Sequence, residues 1–262
     1  MKEWAVYISS YDGASDIWPA FFTILDRFYK NRSKDIYLVT NNKKIQHKGV
    51  SIINTGPEID WFYRTLKSLN SIDSKYILFL LEDYFISKEV REEDIDFLVK
   101  KMDDENCCYC RLSKSCYVNY HRNIIKLSPK SEVPYLISLQ PGIWNRSDLI
   151  ELLNKINKQS PWDFENYLNQ SDISLVIQKD VLYDGRDILG YKNGVLRGKW
   201  IRRTLNFYKH IGISIDTRKR GVLSIWTEVK YNIANYLSYK LPDRVKINIK
   251  LIANKVGFSY LR

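Results

Sequence analysis

Residues 75–86 read KYILFLLEDYFI, an apolar run from Tyr76 to Leu81 that stops at two consecutive carboxylates, Glu82 and Asp83, before hydrophobic residues resume. A run of this length bounded by polar residues suits a strand buried on both faces, as in the middle of a parallel sheet. The neighbouring segments supply the rest of that sheet. DWFYRTLKSLNSI (60–72) repeats its apolar residues at three and four positions, which is helical spacing, and DIYLVTN (35–41) and GVSIINTG (49–56) ahead of it read as short strands. WAVYISSYDGASDIWPAFFTILDRF (4–28) begins as a strand, crosses a small polar turn and continues as a helix with Trp18, Phe21, Phe22, Leu25 and Phe28 on one face. Strands alternating with helices in this order predict an α/β fold around a mostly parallel sheet.

Further along, REEDIDFLVKKMDDEN (91–106) reads as a helix leading to a strand at CCYC (107–110). PYLISLQPGIWNRSDLIELLNKI (134–156) reads as a strand that gives way at QPG to a turn and then to a helix capped at Ser147. SPWDFENYLNQ (160–170) has Ser160 as N-cap and Pro161 at the first helical position, and SLVIQKDVLYDG (174–185) holds one or two short strands.

With 262 residues, 45% of them hydrophobic, the chain can bury a sizeable core, which argues against disorder. No apolar run approaches the roughly 20 residues of a membrane-spanning helix, and the first residues, MKEWAVYISS, lack the pattern of a secretory leader, so a cytoplasmic protein is expected. Four cysteines crowd into 107–116, which suits a reducing compartment. The spacing of Cys107, Cys110, Cys116 and His121 fits no common zinc template, and CCYC reads more simply as a strand burying small apolar thiols. The net charge of +11 is uneven: residues 218–262 hold ten Lys or Arg against Glu228 and Asp243, so +8 lies there and +3 in the first 217 residues.

In open α/β sheets, ligands gather beyond the carboxyl ends of the strands. The turn after Ile8, the end of SIINTG and the acids after Leu81 are all expected on that edge. A carboxylate pair there suits a divalent cation holding a diphosphate, or else it caps the strand and faces water. Neither GxGxxG nor the Walker pattern occurs, so a diphosphate would depend on metal and side chains.

Taken together and in order, VYISSYDG, DWFYRTL, LFLLEDYFI, SLQPGIWNR and SPWDFE resemble the GT-A class of nucleotide-sugar glycosyltransferases, in particular those of bacterial capsule and lipopolysaccharide O-antigen synthesis. The resemblance covers about residues 4–200. It implies a GT-A-like, Rossmann-type, mostly parallel sheet flanked by helices, and transfer of a sugar from a UDP-linked donor to a glycan or lipid-diphosphate-linked acceptor. On this resemblance Ser9, Ser10, Tyr11 and Asp12 meet the donor nucleotide, and Trp61 and Arg64 reach it from the helix at 60–72. Glu82 and Asp83 occupy the place of the metal-binding DxD motif, although this chain reads EDY with the acids adjacent. Asp83 is then the ligand of Mn2+ or Mg2+, and Glu82 a supporting donor-side contact. Gln140, Gly142 and Trp144 line the sugar and acceptor side, Gly142 by close backbone approach and Trp144 by stacking on a sugar ring. The general base of an inverting transfer falls to Glu165, with Asp163 as the second candidate. Arg197 and Lys199 sit in a flexible segment, NGVLRGKW (193–200), that would close over the diphosphate.

The natural boundary falls near DTRKRG (216–221), leaving 1–217 as catalytic domain and 218–262 as a basic helical appendage. Its apolar stripes are Val222, Ile225, Trp226, Val229, Ile233 and Leu237, then Val245, Ile249, Ile252 and Val256. Such helices suit the cytoplasmic face of an anionic inner membrane, or else pack on the domain or on a second subunit of a homo-oligomer. Two other functions compete. A nucleotidyltransferase would also use metal carboxylates, but SSYDGASD lacks a basic glycine-rich loop. A nucleic-acid-binding protein would suit the tail charge, but the aromatics lie in predicted core segments and no recognition motif appears, so nucleic acid is not an expected partner.

Overall fold

The computed structural model describes residues 2–57, 60–114, 118, 123–131, 133, 135–170, 172–230 and 233. The main strands are β1 (Lys2–Ser9), β2 (Ile36–Thr40), β3 (Val50–Asn54), β4 (Ser74–Leu81), β6 (Tyr109–Arg111), β7 (Ile124–Leu127), β8 (Gly142–Asn145) and β9 (Val181–Asp184). They form one sheet in the order β3-β2-β1-β4-β8-β6-β9-β7. β1 runs parallel to β2 and β4, β2 to β3, and β6 to β9, whereas β8 lies antiparallel between β4 and β6 and β7 antiparallel on the far edge. Short ribbons are β5 (Tyr84–Phe85) with β10 (Lys192–Asn193), and β11 (Val195–Leu196) with β12 (Lys199–Trp200).

β4 behaves as its sequence predicts, because alternate side chains enter two separate cores. Tyr76, Leu78 and Leu80 pack under helices α1 (Trp18–Phe28) and α3 (Glu92–Asp104), joined by Tyr208 of α6 (Arg202–His210). Ile77 and Phe79 pack under α2 (Trp61–Asn70), α4 (Arg146–Ile156) and α5 (Pro161–Gln170). The sheet is thus covered on both faces, as a parallel sheet must be. Cys107, Cys108 and Cys110 are buried at and before β6 as expected, while Cys116 and His121 lie outside the described residues.

Two readings are corrected. The strand near residue 140 follows QPG instead of preceding it: Ile143 enters one core and Trp144 the other, whereas 136–141 is irregular. Asn145, not Ser147, caps α4, its side-chain oxygen accepting from the backbone N–H groups of Ser147 and Asp148. Beyond the expected boundary at residue 217, the next stretch packs on the body. Val222 bridges Trp200, and the Glu228 carboxylate accepts from the N–H groups of Arg202 and Arg203, satisfying the start of α6. Residues 225–230 are helical, with Ile225, Trp226, Val229 and Ile233 exposed. Leu237 and the second apolar stripe lie outside the described residues. No helix among the described residues is long and apolar enough to cross a membrane.

Candidate active site

β4 ends at Leu81, and Glu82 and Asp83 form a turn before β5. Strand alternation therefore does not send their side chains to opposite faces. Both carboxyls are half-buried and both titrate above the ordinary carboxylate range: Glu82 because it loses water and lies beside Asp83, Asp83 because it loses water. The Ser10 hydroxyl and the Arg64 guanidinium oppose the shift at Glu82, and Arg220 opposes it at Asp83.

The first turn contributes unequally. Ser10 is buried, and its hydroxyl accepts the Trp18 indole N–H at 2.8 Å as well as supporting Glu82. Ser9 is buried with its hydroxyl toward Tyr7. Tyr11 is exposed, and Arg64, buried on α2, holds its guanidinium 5.6 Å from the Tyr11 ring centroid. Ser10, Tyr11, Arg64 and Glu82 are thus brought together. The Asp12 carboxylate accepts from the backbone N–H groups of Asn41, Asn42 and Lys43 and so fixes the turn after β2. Trp61 also leaves the site. It is buried, with its ring 5.5 Å from that of Phe164, because it opens α2 against α5 inside the core.

The β8 residues divide in the same way. Because β8 runs antiparallel to β4, Gly142 stands opposite Phe79 near the acid turn, and Trp144 lies two residues deeper opposite Ile77. Trp144 is 1% exposed and packs against Tyr109 at 4.4 Å, so it stacks in the core and not on a sugar. A Cβ on Gly142 would come within 2.5 Å of the Tyr109 ring and 2.9 Å of the Cys110 carbonyl. The close approach permitted there is between strands, not to a ligand. Gln140 does reach the crevice, donating to the Tyr84 hydroxyl at 3.3 Å.

Tyr84 is the hub that the sequence did not suggest. Burial, then the charges of Tyr191, Asp83, Glu165 and Glu82, keep its phenol protonated. Glu165, on α5, therefore shares one electrostatic neighbourhood with the acid pair. Its carboxylate accepts the Leu139 N–H, and burial pushes it above the usual range. Asp163 is exposed and closes a capping box, accepting the Ser160 hydroxyl at 2.6 Å while its own N–H donates back at 3.1 Å. The structure separates the two candidates.

Arg220, read from the sequence as the start of the tail, binds Asp16 through two bonds of 2.7 and 2.9 Å. With Asp12, Asp16, Lys43, Gly198 and Lys219 it borders a cavity of about 380 Å³ at this end of the crevice. Arg197 and Lys199 flank that rim. Their segment is a tight hairpin and not an irregular loop, since β11 and β12 are joined by Arg197 and Gly198 at φ 51° and 74°, the positive pair that a two-residue turn requires. Only contacts across more than 200 residues could have revealed Arg220.

No protein-family model matches the chain, nor does any curated protein. Solved structures do. TarS of S. aureus aligns with 99% of the chain at 15% identity and a TM-score of 0.50, and the chain spans 44% of its length. TarS 1–349 in complex with UDP-GlcNAc aligns with 99% of the chain at 15% identity and a TM-score of 0.47, over 74% of that structure. A cytidylyltransferase from Leptospira borgpetersenii aligns with the whole chain at 12% identity and a TM-score of 0.42, over 99% of its own length. The likeness to full-length TarS is one of fold, and the sheet with its flanking helices is of the GT-A or nucleotidyltransferase type.

Proposed function

We propose that the protein is a nucleotide-sugar-dependent glycosyltransferase that moves a sugar from a UDP-linked donor to a glycan or lipid-linked acceptor in bacterial surface polysaccharide synthesis. One observation carries the reading: Glu82 and Asp83 leave the central strand in a turn, feel the charges of Arg64 and Arg220 respectively, and act with Glu165 on the buried Tyr84 phenol. A cap that only faced water would leave both carboxyls in the ordinary range.

That turn fits a divalent cation. The carboxylates repel each other, and one or two carboxylates plus phosphate oxygens is the usual protein share of a Mn2+ or Mg2+ site. Asp83 and Glu82 would hold the cation, which when bound offsets charge on the departing nucleoside diphosphate. Arg64 adds positive charge near Glu82 and Arg220 near Asp83, and Ser10 holds Glu82 in place. Tyr84, hydrogen-bonded to Gln140, feels the charges of both the acid pair and Glu165. As the acceptor oxygen bonds to the anomeric carbon, the bond from that carbon to the phosphate oxygen breaks, its electron pair leaving with the diphosphate. The acceptor proton passes to Glu165, whose affinity for protons is raised by burial, as suits a general base.

A nucleotidyltransferase remains the second reading for a specific reason. Lys43, Lys219 and Arg220 gather at the 12–16 turn and supply there the basic charge that the turn itself lacks. Calorimetric titration with UDP, with and without Mn2+, tests the first reading. Metal-dependent binding that Asp83→Ala abolishes and Arg220→Ala weakens is expected. Release of inorganic diphosphate from CTP or UTP with a sugar 1-phosphate, in place of sugar transfer, would favour the second.

A further inference from the structure

The β5–β10 ribbon runs on from the acid turn. Asn193 pairs with Tyr84, Lys192 with Phe85, and the Gly194 N–H binds the Asp83 carbonyl at 2.8 Å. Beyond it lie two cavities of about 520 and 400 Å³ that share Lys88, Lys114 and Asp187, so they form one cleft. Gln140 and Tyr191 line the cleft at its inner end, and the Tyr191 ring packs edge-on against Tyr84, 5.0 Å between centroids. Through Gln140, Tyr191 and Asn193 the cleft thus borders Tyr84, the residue that follows the acid pair.

Its charge is one-sided. Lys88 pairs with Asp187 at 3.0 Å, and Arg186 is held by Asp184 and Asp94. Lys114 and Lys192 have no carboxylate in ion-pair contact among the described residues; Lys192 rests on the Phe207 ring, 4.3 Å from its centroid. Burial, then the nearby Arg203 and Lys88, lower the affinity of Lys192 for its proton, and Asp187 offsets them only in part. A glycan that carries no charge gains nothing from such a lining, whereas an oxyanion relieves the repulsion.

We infer that this cleft is the acceptor site of the transfer proposed above, and that it selects an acceptor bearing phosphate or carboxylate groups near the reacting hydroxyl. Lys88 is five residues from Asp83, so their Cα atoms lie within about 17 Å of each other. The inference rests on the glycosyltransferase reading, but its test is separable from it.

The purified protein is titrated with four probes: a hexameric glycerol phosphate, hexagalacturonate, farnesyl diphosphate and neutral maltohexaose. Each titration is repeated on Lys114→Glu, on Lys114→Glu/Lys192→Ala and on Asp83→Ala, and each protein is also titrated with UDP and Mn2+. Lys114 is exposed, so its single substitution spares the fold. The expected result is binding of an anionic probe that weakens with salt and exceeds maltohexaose binding at least tenfold. The double variant should lose at least tenfold in anionic affinity, about 1.4 kcal/mol, while keeping UDP binding. Asp83→Ala should show the reverse pattern. Binding of farnesyl diphosphate alone would assign the charge to a lipid carrier, and binding of the glycerol phosphate or uronate oligomer would assign it to the glycan. Equal affinity for maltohexaose, no anionic binding, or full affinity in the double variant would overturn the inference. Anionic binding without UDP binding would overturn the donor reading alone.

Discussion

β4 and β8 lie side by side, Phe79 opposite Gly142, and both reach the crevice edge, yet their residues meet opposite environments there. At the end of β4 two carboxylates are drawn out of water with incomplete compensation from Arg64 and Arg220. At the start of β8 every feature is packing: Gly142 makes room for Tyr109, and Ile143 and Trp144 fill the two cores. Folding alone would remove the first arrangement and preserve the second. An electrostatic cost held at a sheet edge marks a functional site more reliably than an aromatic or a glycine in a suggestive sequence.

Three experiments would sharpen or break that contrast. The largest effect is expected on catalysis: Glu165→Gln should lower the transfer rate by roughly 100-fold or more at unchanged UDP affinity, the range for loss of a general base. Asp163→Asn should leave the rate intact and only loosen the cap of α5, a difference that steady-state kinetics beside urea unfolding would read. If the two variants behaved alike in the rate assay, the base would have to be sought elsewhere.

Next is Trp144→Ala, expected to cost about 3–5 kcal/mol of stability as a large core truncation, read from the urea midpoint. A variant of near-normal stability that lost sugar-acceptor binding would instead put Trp144 on a ligand and erase the contrast with β4.

The smallest effect concerns pH. Glu82 and Asp83 bind protons more tightly folded than unfolded, so between the ordinary carboxylate value of about 4 and their raised values the native state holds more protons. The metal-free protein should therefore lose stability as pH rises through that window. Glu82→Gln/Asp83→Asn should flatten the loss, gaining on the order of 1 kcal/mol near pH 8 and little at pH 4. Parallel pH profiles for wild type and variant would show the pair to be solvated after all.

The layout of the sheet was legible in the chain because burial on two faces leaves its imprint in local periodicity: β1 to β4, their helices and the acid turn follow from runs of a dozen residues. The cap of α5 was legible for the same reason, since Ser160, Pro161 and Asp163 act within one turn. The strand at 142–145 was not, because a four-residue segment opening on glycine carries too little period to distinguish it from a turn, and its pairing with β4 and β6 is long-range. The sorting of Asp163 from Glu165, of Trp61 and Trp144 from Arg64, and of Asp12 from Ser10 depended on which neighbours each side chain met. Arg220 entered the site across more than 200 residues through Asp16, and Lys88, Lys114 and Lys192 came to share a cleft from three separate segments. Sequence by itself determined which segments are buried and where charge interrupts them, since hydrophobic burial is read residue by residue. Tertiary structure alone decided which charges lose their water together, because desolvation and repulsion depend on distances in space.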